Sequence, residues 1–308
     1  MAFPTTSPPS LSNWQMYFNG LTLGNSTPYA LYNVQGLDLP AIRSGDVPRP
    51  REQGEWIGLD LMAGRLITIV GDMISNGTSI ESSAQNLGGA FIPGGTTELP
   101  LWFQWANLPI LAAMCRTRKN VTPIDLGFSV NALASMNLQL FATDPRLYAA
   151  SQSSSCGVGT ALGGGVFPAT FPYSFTHGSV AGSIAANNAG NFETRPLLTL
   201  TGPLTNPTVY NATTGWQLTL TNPNQVGFTV QSGDTVTIDT DTHAVLYYVG
   251  GAGTPAPIRA WIVAGSTWPS TPNGVAGLAP GNNTVQLTST GTSDTGSLTC
   301  EWSSAYLF

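Results

Sequence analysis

The chain has 308 residues, of which only 8% are charged, and its formal net charge is −6. Binding to duplex nucleic acid needs a basic surface that displaces counterions from phosphate, so this charge balance argues against direct nucleic-acid recognition. The longest charge-free apolar stretch of the first half, residues 99–115, holds two prolines. It is shorter than the about 20 apolar residues that a membrane span needs, so no membrane insertion is expected.

The numbers and positions of cysteine, glycine and proline narrow the possible structural class of the protein further. Cys115, Cys156 and Cys300 lie far apart and form no C-x-x-C pair, which matches neither a disulfide framework nor a zinc site. They are expected to be free, partly buried thiols in a chain made in a reducing compartment. The N-terminal stretch MAFPTTSPPS has no basic or apolar segment, so no secretory signal is expected. The 35 glycines and 23 prolines break the chain into short pieces, which favours strands over helices.

Short strands are predicted throughout the first 150 residues. The first ten residues are rich in Pro, Ser and Thr and are expected to be flexible, or extended against another surface. Asn19–Gly20 then predicts the turn of a hairpin over 14–24, and Asp144–Pro145 ends the last strand of this part. The one helix is predicted over 78–91, with Ser79 as its N-cap and Gly88–Gly89 as its stop. Further strands are predicted over 29–39, 59–74, 99–106, 110–118 and 128–148.

A charged loop is predicted over 41–56 from its proline and glycine content. In one interpretation it is a solvated surface loop, with Glu52 and Glu55 ion-paired to its arginines. In the other it is an arm that contacts a neighbouring subunit, because arginine is favoured in bidentate carboxylate pairs at interfaces. The arginines are Arg43, Arg49 and Arg51, and Asp46 lies beside them.

The remaining chain divides into a connector and a second domain. Residues 149–190 are rich in Ser, Gly and Ala and predict an extended connector with one strand around 171–177. Short alternating strands separated by turns then predict a β-sandwich without crossover helices. Its eight strands are predicted over 195–202, 215–221, 226–230, 234–239, 243–249, 258–263, 283–289 and 296–302. The fold class is therefore all-β with one short helix, in domains of 1–150 and 191–308 joined by a connector over 151–190.

Residues suited to catalysis or metal binding are scarce. The two histidines, His177 and His243, lie in the connector and at a turn, and no G-x-S-x-G motif is present. Asp234, Asp239 and Asp241 lie close in sequence without the pattern of a calcium loop, so residues 239–243 are interpreted as a hairpin turn. The glycine-rich stretch 157–165 has the wrong spacing for a phosphate loop. No catalytic, cofactor-binding or metal-binding residue is assigned, and no cofactor is expected.

Aromatic residues of the second domain have two interpretations. They could stack on sugars if their rings are exposed, but aromatic side chains in a sandwich more often belong to its core. Tyr247 and Tyr248 are adjacent in a strand and point to opposite faces, so at least one is expected in the core. The tryptophans concerned are Trp216, Trp261 and Trp268.

Two motifs in this order resemble a known family. They are ATDPRLY at 142–148, and N-x-G-N-x-x-T-x-P-x-x-x-x-x-G-P at 188–203, preceded by the hairpin YFNGLTLG and followed by DTVTID. Together they resemble the distal tail (Dit-like, minor tail) proteins of siphovirus-type bacteriophages, which have long, non-contractile tails. The resemblance covers the chain from about Trp14 to its end.

The resemblance implies a structural virion protein of the tail tip or baseplate. It implies an N-terminal, tail-tube-like β domain that closes into a hexameric ring, and a galectin-like C-terminal sandwich that projects outward. The partners implied are other copies of the chain, the tail tube protein, the tape-measure protein, and the hub or baseplate proteins that hold receptor-binding components. The expected location is the tail tip of a virion made in the host bacterial cytoplasm, and no active-site residues are implied.

Two other functions stay open at this point. One is a carbohydrate-binding adhesin that contacts host surface glycans through Trp261 or Trp268 of the sandwich. The other is a polysaccharide-degrading tail component that uses an acidic residue. Fold alone does not decide among these functions, because sandwiches of this kind serve many roles.

Overall fold

A computed structural model of the protein describes residues 3–75, 79–130, 133–158, 182–222, 227–270, 274–291 and 293–308. Strands dominate the regular structure and confirm the predicted all-β class. The chain forms two compact units: an N-terminal unit up to Ser151 that also contains Ala305–Phe308, and a C-terminal unit of Gln152–Ser304. No helix in the described ranges is long and apolar enough to span a membrane.

The N-terminal unit contains two sheets that share one long strand. Its elements are β1 (Gln15–Phe18), β2 (Leu21–Gly24), β3 (Tyr29–Gln35), β4 (Ile42–Arg43), β5 (Val47–Pro48), β6 (Glu55–Trp56), β7 (Leu61–Met62), β8 (Arg65–Ile74), α1 (Ile80–Ala90), β9 (Leu99–Gln104), β10 (Leu111–Val121), α2 (Leu126–Ser129), β11 (Leu133–Ala142) and the first part of β12 (Leu147–Gly157). One sheet has the order β2-β1-β9-β10-β12 and the other β3-β8-β11-β10. Residues 111–115 of β10 pair with β9, and residues 116–121 pair with β11.

Alternation along the strands builds the core of this unit. In β8 and β11 every second side chain is buried, as expected for strands with one face on a core. Ile67 and Ile69 of β8 and Leu138 of β11 pack there with Leu87 of helix α1.

The predicted hairpin is confirmed, and the predicted helix is confirmed at its start. Asn19 and Gly20 have positive φ angles of 44° and 88° and form the turn between β1 and β2. The Ser79 hydroxyl accepts a hydrogen bond from the Ser82 amide at 3.2 Å and caps α1. The predicted stop at Gly88–Gly89 is wrong, because α1 continues to Ala90. The Phe91 ring that follows stacks on Phe18 at 5.0 Å, and this packing offsets the low helix propensity of the glycines.

Of the two expectations for the N-terminal arm, packing against another surface agrees with the structure, because Phe3 is buried and its ring lies 6.3 Å from that of Tyr148. Two other expectations for the first half need correction. The predicted loop over 41–56 contains two short antiparallel ladders, β4 with β7 and β5 with β6. The single strand predicted over 128–148 is instead the end of α2, then β11, then the start of β12.

The predicted connector carries a strand at each end. Strand β12 runs to Gly157, and β13 (Gly182–Asn188) pairs along its whole length with residues 281–287. The chain therefore enters the C-terminal unit within a strand, because the unit begins at Gln152. The strand predicted at 171–177 lies outside the described residues.

The C-terminal unit is a β-sandwich. Besides β13 it contains β14 (Leu197–Thr201), β15 (Leu204–Thr205), β16 (Thr208–Asn211), β17 (Gln217–Thr219), β18 (Thr229–Val230), β19 (Thr235–Asp239), β20 (Ala244–Tyr248), β21 (Ala256–Pro257), β22 (Gly281–Thr288) and most of β23 (Ser297–Tyr306). Its two main sheets have the orders β23-β14-β19-β20-β21 and β13-β22-β16-β17, and both contribute to one apolar core. The strand predicted over 258–263 is wrong, because Arg259–Trp261 form a 3-10 turn there.

The motif at 188–203 fixes the start of this sandwich. The Asn188 amide donates to the carbonyl oxygens of Phe192 and Leu278 at 2.7 and 3.1 Å. The Glu193 carboxylate accepts from the Gly277 amide at 3.0 Å. The bond to Phe192 closes the turn of the motif, and the other two tie the motif to residues 277–278, which lie far away in sequence, so the motif is explained by folding alone.

Gly202 of the same motif leads to a first prediction. A Cβ atom at this position would lie 2.0 Å from the Gln231 carbonyl oxygen, so backbone would have to move. Gly202→Ala is expected to lower the free energy of unfolding of the C-terminal unit by about 1–3 kcal/mol. Urea unfolding measures this, with Gly157→Ala as the matched control, because its Cβ would make only an ordinary contact at 3.9 Å. Equal midpoints for the two variants would contradict the prediction.

Candidate assembly interface

The sheet β3-β8-β11-β10 ends in an open edge on each side. Within the described residues, β3 pairs only with β8, and residues 116–121 of β10 pair only with β11. The Trp14 indole donates to the Leu31 carbonyl oxygen at 3.0 Å, which leaves Tyr32–Gln35 as the open part of β3. Unpaired edge strands are templates for pairing with another chain, so both edges are candidates for assembly.

Strand direction makes the two edges compatible with each other. All neighbouring strands of this sheet are antiparallel, and the sheet has four strands, so β3 and β10 run in opposite directions. Rotation about a ring axis preserves strand direction along that axis. In a ring of identical copies, β10 of one copy would therefore meet β3 of the next as a further antiparallel pair.

A second candidate surface is the segment between β3 and β8, here called the ribbon (residues 37–64). It holds the ladders β4–β7 and β5–β6 and has an unusual number of exposed apolar side chains. Ile57 is 98% exposed and Trp56 is 55% exposed. The other exposed apolar residues of the ribbon are Leu39, Ile42, Val47 and Leu59. Such a patch on a soluble protein marks an interaction site.

The ion pairs predicted for the ribbon are not formed within the described chain. Glu52 and Glu55 make no salt bridge with the arginines of the ribbon. Asp46 instead accepts from the Gly58 amide at 2.6 Å, and that bond, together with the Ser44 hydroxyl, lowers the pKa of its carboxyl. The arginines and glutamates thus remain available to a partner, as the interface interpretation requires.

The base of the ribbon is fixed by a buried arginine that sequence reasoning missed. Arg65 is 2% exposed, and its guanidinium donates to the carbonyl oxygens of Pro145 and Asp38 and, at 3.4 Å, to that of Gly36. Burial lowers the pKa of Arg65 to about 10, while Asp38 and Asp144 act in the opposite direction. The guanidinium thereby ties both the start of the ribbon and the ATDPRLY motif to β8.

The ATDPRLY motif forms a compact network around Asp144. The Asp144 carboxylate accepts from the Arg146 amide at 3.0 Å, from Arg146 Nε at 2.9 Å and from the Tyr148 hydroxyl at 2.6 Å. Glu98 accepts from the amide and the hydroxyl of Thr143 at 3.1 and 2.8 Å. The motif therefore has a structural role at the end of the sheet nearest the ribbon.

A further exposed apolar surface lies at the opposite end of that sheet. It is the apolar tip, residues 121–130, which begins at the end of β10 and contains α2. Ile124, Leu126 and Val130 are its most exposed side chains. The ribbon and the apolar tip thus present two separate contact surfaces.

The aromatic residues proposed to bind sugars are engaged within the C-terminal unit. Trp216 is buried and its indole donates to the Gly277 carbonyl oxygen at 2.6 Å. The Trp261 ring packs edge-on against Phe228 at 4.8 Å. The Trp268 ring lies 4.6 Å from the His243 ring, and the Arg259 guanidinium lies over it at 5.9 Å. These contacts favour the core interpretation and reduce the open indole surface that a sugar would need.

The aspartates considered for calcium have structural roles. Asp239 accepts from the amides of Asp241 and Thr242 at 2.9 and 3.2 Å, which confirms the hairpin turn. Burial raises the pKa of Asp239, but hydrogen bonds from these amides and from the Thr242 side chain lower it, and the net shift is downward. No group of three or more metal-ligating side chains occurs among the described residues. His177 and residues 159–165 of the glycine-rich stretch lie outside them.

The cysteines are free, as expected. Cys115 and Cys300 are buried and Cys156 is half-buried, and no disulfide joins them. Burial raises the pKa of all three thiols, so they are poor nucleophiles at neutral pH.

Tyr247 leads to a prediction about pH. Its hydroxyl donates to Asp234, and burial together with this bond raises the pKa of Tyr247 to about 12. The contribution of the Tyr247–Asp234 bond to the free energy of unfolding is therefore complete below pH 10. It is expected to be lost as the pH rises towards 12 and the Tyr247 hydroxyl ionises. Urea unfolding between pH 9 and 12 should show a smaller loss for Tyr247→Phe than for the unmodified chain. Tyr248→Phe, which keeps the Tyr247–Asp234 bond, is the matched control, and equal losses for all three proteins would contradict the prediction.

No protein-family model matches the sequence, and no curated protein matches it. Among solved structures the chain is similar to the Dit protein of phage SPP1, described as a paradigm of the hub adsorption apparatus in phages that infect Gram-positive bacteria. The identity is 15% and the TM-score 0.58, over 95% of this chain and 99% of that chain.

The chain has the fold of SPP1 Dit. The resemblance to distal tail proteins that the two motifs indicated is thus confirmed at the level of the fold. The chain also matches two structures of the phage P2 baseplate in its activated conformation, one with calcium and one with strontium. These matches have identities of 10% and 9%, TM-scores of 0.46, and coverage of 93% of this chain and 97% and 96% of those chains. Because the Dit fold spans nearly the whole chain, both units belong to it.

Proposed function

We propose that the protein is a structural component of a phage tail tip, where copies of it form a ring that joins the tail tube to the hub. The observation that carries the proposal is the four-stranded sheet with two open, antiparallel-compatible edges, in a chain with the Dit fold. In this role the protein needs neither a cofactor nor catalysis. Its partners are further copies of the chain, the tail tube and tape-measure proteins, and the hub or baseplate proteins.

A ring follows from the nature of the edges. The edge at β3 differs from the edge at β10, so the contact between copies joins two different surfaces. Such heterologous contacts close into rings when the rotation between copies divides a full turn. Six copies are the number implied by the resemblance to distal tail proteins.

The ribbon is the clasp of this ring, which means that its exposed side chains pack on the surface of the neighbouring copy. It starts at the end of edge strand β3, which is the side on which the next copy lies. Its exposed side chains, above all Trp56 and Ile57, would be covered there. Aromatic side chains and arginine dominate the energetics of protein interfaces, and the ribbon supplies both.

The C-terminal unit has the role of an outward platform for tip components, and its likeness to galectins stays a prediction. Binding of host surface glycans by this unit remains the alternative function. It would require Trp261 or Trp268 to accept a sugar despite the rings and guanidinium that contact them. A virion location at the tail tip, after synthesis in the host cytoplasm, follows from the structural role.

Light scattering coupled to size-exclusion chromatography tests the proposal. The purified full chain is expected to elute, at increasing concentrations, with a mass of six times its 32.2 kDa. A monomer at all concentrations that binds a glycan array, with binding lost in Trp268→Ala, would support the adhesin instead. A monomer that binds no glycan would contradict both functions.

A further inference from the structure

Charge is distributed unevenly on the outward face of the sheet β3-β8-β11-β10. Asp72 is the one carboxylate within its strands, residues 29–35, 65–74, 116–121 and 133–142. It lies on β8, next to edge strand β3, and its neighbours Gly71 and Met73 are buried, so its side chain points outward. Three cations, Arg116, Arg118 and Lys119, lie on the opposite edge strand β10.

The cations of β10 also face outward. Lys119 pairs with Gln139, whose neighbours in β11 are buried, and Lys119 itself is exposed. The Arg118 guanidinium lies 5.3 Å from the centre of the Phe141 ring on the same face. No ion pair joins Arg118, Lys119 or Asp72 to another side chain within the described residues. Within the described residues the sheet therefore has a basic edge and, next to its other edge, a carboxylate without an ion-pair partner.

Asp72 is held by the edge strand itself. The exposed Tyr32 hydroxyl of β3 donates to the Asp72 carboxylate, and this bond raises the pKa of Tyr32. Tyr32 is also the first residue of the open part of β3. A strand added at that edge would lie about 10 Å from β8, which is two strand spacings, and a lysine side chain can reach Asp72 from there.

Closure of the sheet into a ring places these charges together. The ladders put Gln35, Thr68, Gln139 and Lys119 in one row across the sheet. Strands in a closed barrel tilt by about 35–45°, which corresponds to a stagger of about one residue per strand, or about four per copy. The bulge at Tyr32 adds one residue to β3, so a stagger of four ladder positions places Lys119 opposite Ala30 of the next copy, and Ala30 is the ladder partner of Asp72. The opposite stagger would carry the pairing beyond the end of β3.

We propose that β10 of one copy pairs with β3 of the next copy, and that Lys119 and Arg118 bind Asp72 across this seam. The proposal rests on the proposed ring function and adds the surface and the charges by which one copy recognises the next. The occupant of each edge is a second copy because the two edges are complementary in direction and in charge. Like-charge contacts disfavour any pairing of β3 with β3 or of β10 with β10, so the charges also select the head-to-tail arrangement.

Charge reversal tests the seam. Asp72→Lys and Lys119→Glu are each expected to raise the concentration for half-assembly at least tenfold in light scattering. The double variant should recover most of the assembly, because the pair is restored with its signs exchanged. Glu81→Lys, on the exposed face of α1, is the matched control and should assemble normally. If the control and the unmodified chain form rings but the losses of assembly in the two single variants add up in the double variant, the proposed contact between β10 and β3 is wrong. The proposed ring function would not be affected by that result.

A cross-link tests the same seam without reversing charge. Side chains on directly opposed residues of an antiparallel pair are close enough for a disulfide in favourable geometry. The double variant Ala30→Cys with Lys119→Cys should form covalent multimers up to the size of the ring on mild oxidation. Each single variant is its control and should form none. Rings without such multimers would overturn the seam, whereas the absence of rings in the unmodified chain would overturn the proposed function itself.

Discussion

The double substitution Trp56→Ser with Ile57→Ser is expected to convert the assembled protein into a folded monomer. The two side chains are 55% and 98% exposed in the single chain, so their replacement should not disturb the fold. In the proposed ring the neighbouring copy would cover both side chains, and complete burial of one large apolar side chain contributes about 1.5–3 kcal/mol. Loss of both should weaken each contact by two orders of magnitude or more. Light scattering at micromolar concentration measures the mass, and circular dichroism checks the fold.

Val249→Ser is the matched control for this variant. Val249 is also a strongly exposed apolar residue, but it belongs to the C-terminal unit and is not part of the ribbon. This control should retain the mass of the unmodified chain. A ring that survives loss of Trp56 and Ile57 would show that the ribbon is not the clasp.

Replacement of Arg65 with Met is expected to give the largest loss of stability in the N-terminal unit. The change removes charged hydrogen bonds to two carbonyl oxygens. That of Asp38 lies at the base of the ribbon, and that of Pro145 lies in the ATDPRLY motif. Hydrogen bonds to a charged group contribute about 1.5–3 kcal/mol each, and the cost of burying the guanidinium offsets part of this. The net loss should be about 2–4 kcal/mol. Arg65→Lys keeps the charge but not the fork geometry, and should recover only part of it.

Urea unfolding in the Trp56→Ser, Ile57→Ser background is the appropriate measurement, because assembly would otherwise add to the apparent stability. Arg43→Met is the control, since Arg43 is exposed in the ribbon. If Arg65→Met unfolds at the same urea concentration as Arg43→Met, the guanidinium does not anchor the ribbon base.

Local signals in the sequence predicted the elements that depend on neighbouring residues. The Asn19–Gly20 turn needs only two residues that tolerate positive φ, and the Ser79 cap needs only a hydroxyl three residues before an amide. Alternation identified β14 and β19, whose inward side chains fill the core of the sandwich. These features were readable because the physics that fixes them acts over a few residues.

Features that depend on distant partners were missed. Strand β13 has a sequence of low strand propensity and is held by its ladder to β22, about 100 residues later in the chain. Arg65 appeared as one polar residue in an apolar run, and its burial depends on carbonyl groups at Asp38 and Pro145. The helix passes Gly88–Gly89 because Phe91 packs on Phe18.

Only part of the candidate interface could be predicted from the sequence. The arginines of 41–56 were compatible with a solvated loop and with a contact to another subunit. The exposure of Trp56 and Ile57 could not be predicted from residue type, since both usually lie in a core. The open edges of β3 and β10 depend on the pairing of four strands that are far apart in the chain. The charge asymmetry of Asp72 and Lys119 has meaning only once that order is known.

Negative-stain electron microscopy of the purified full chain would show directly whether copies of the chain form a ring. Class averages are expected to show rings with six-fold symmetry and an open centre, and with the C-terminal units at the rim. A gold label on a tag at the exposed Val249 would locate those units. Two-fold particles without a central opening, or single copies at every concentration, would contradict the claim that this chain builds a tail-tip ring.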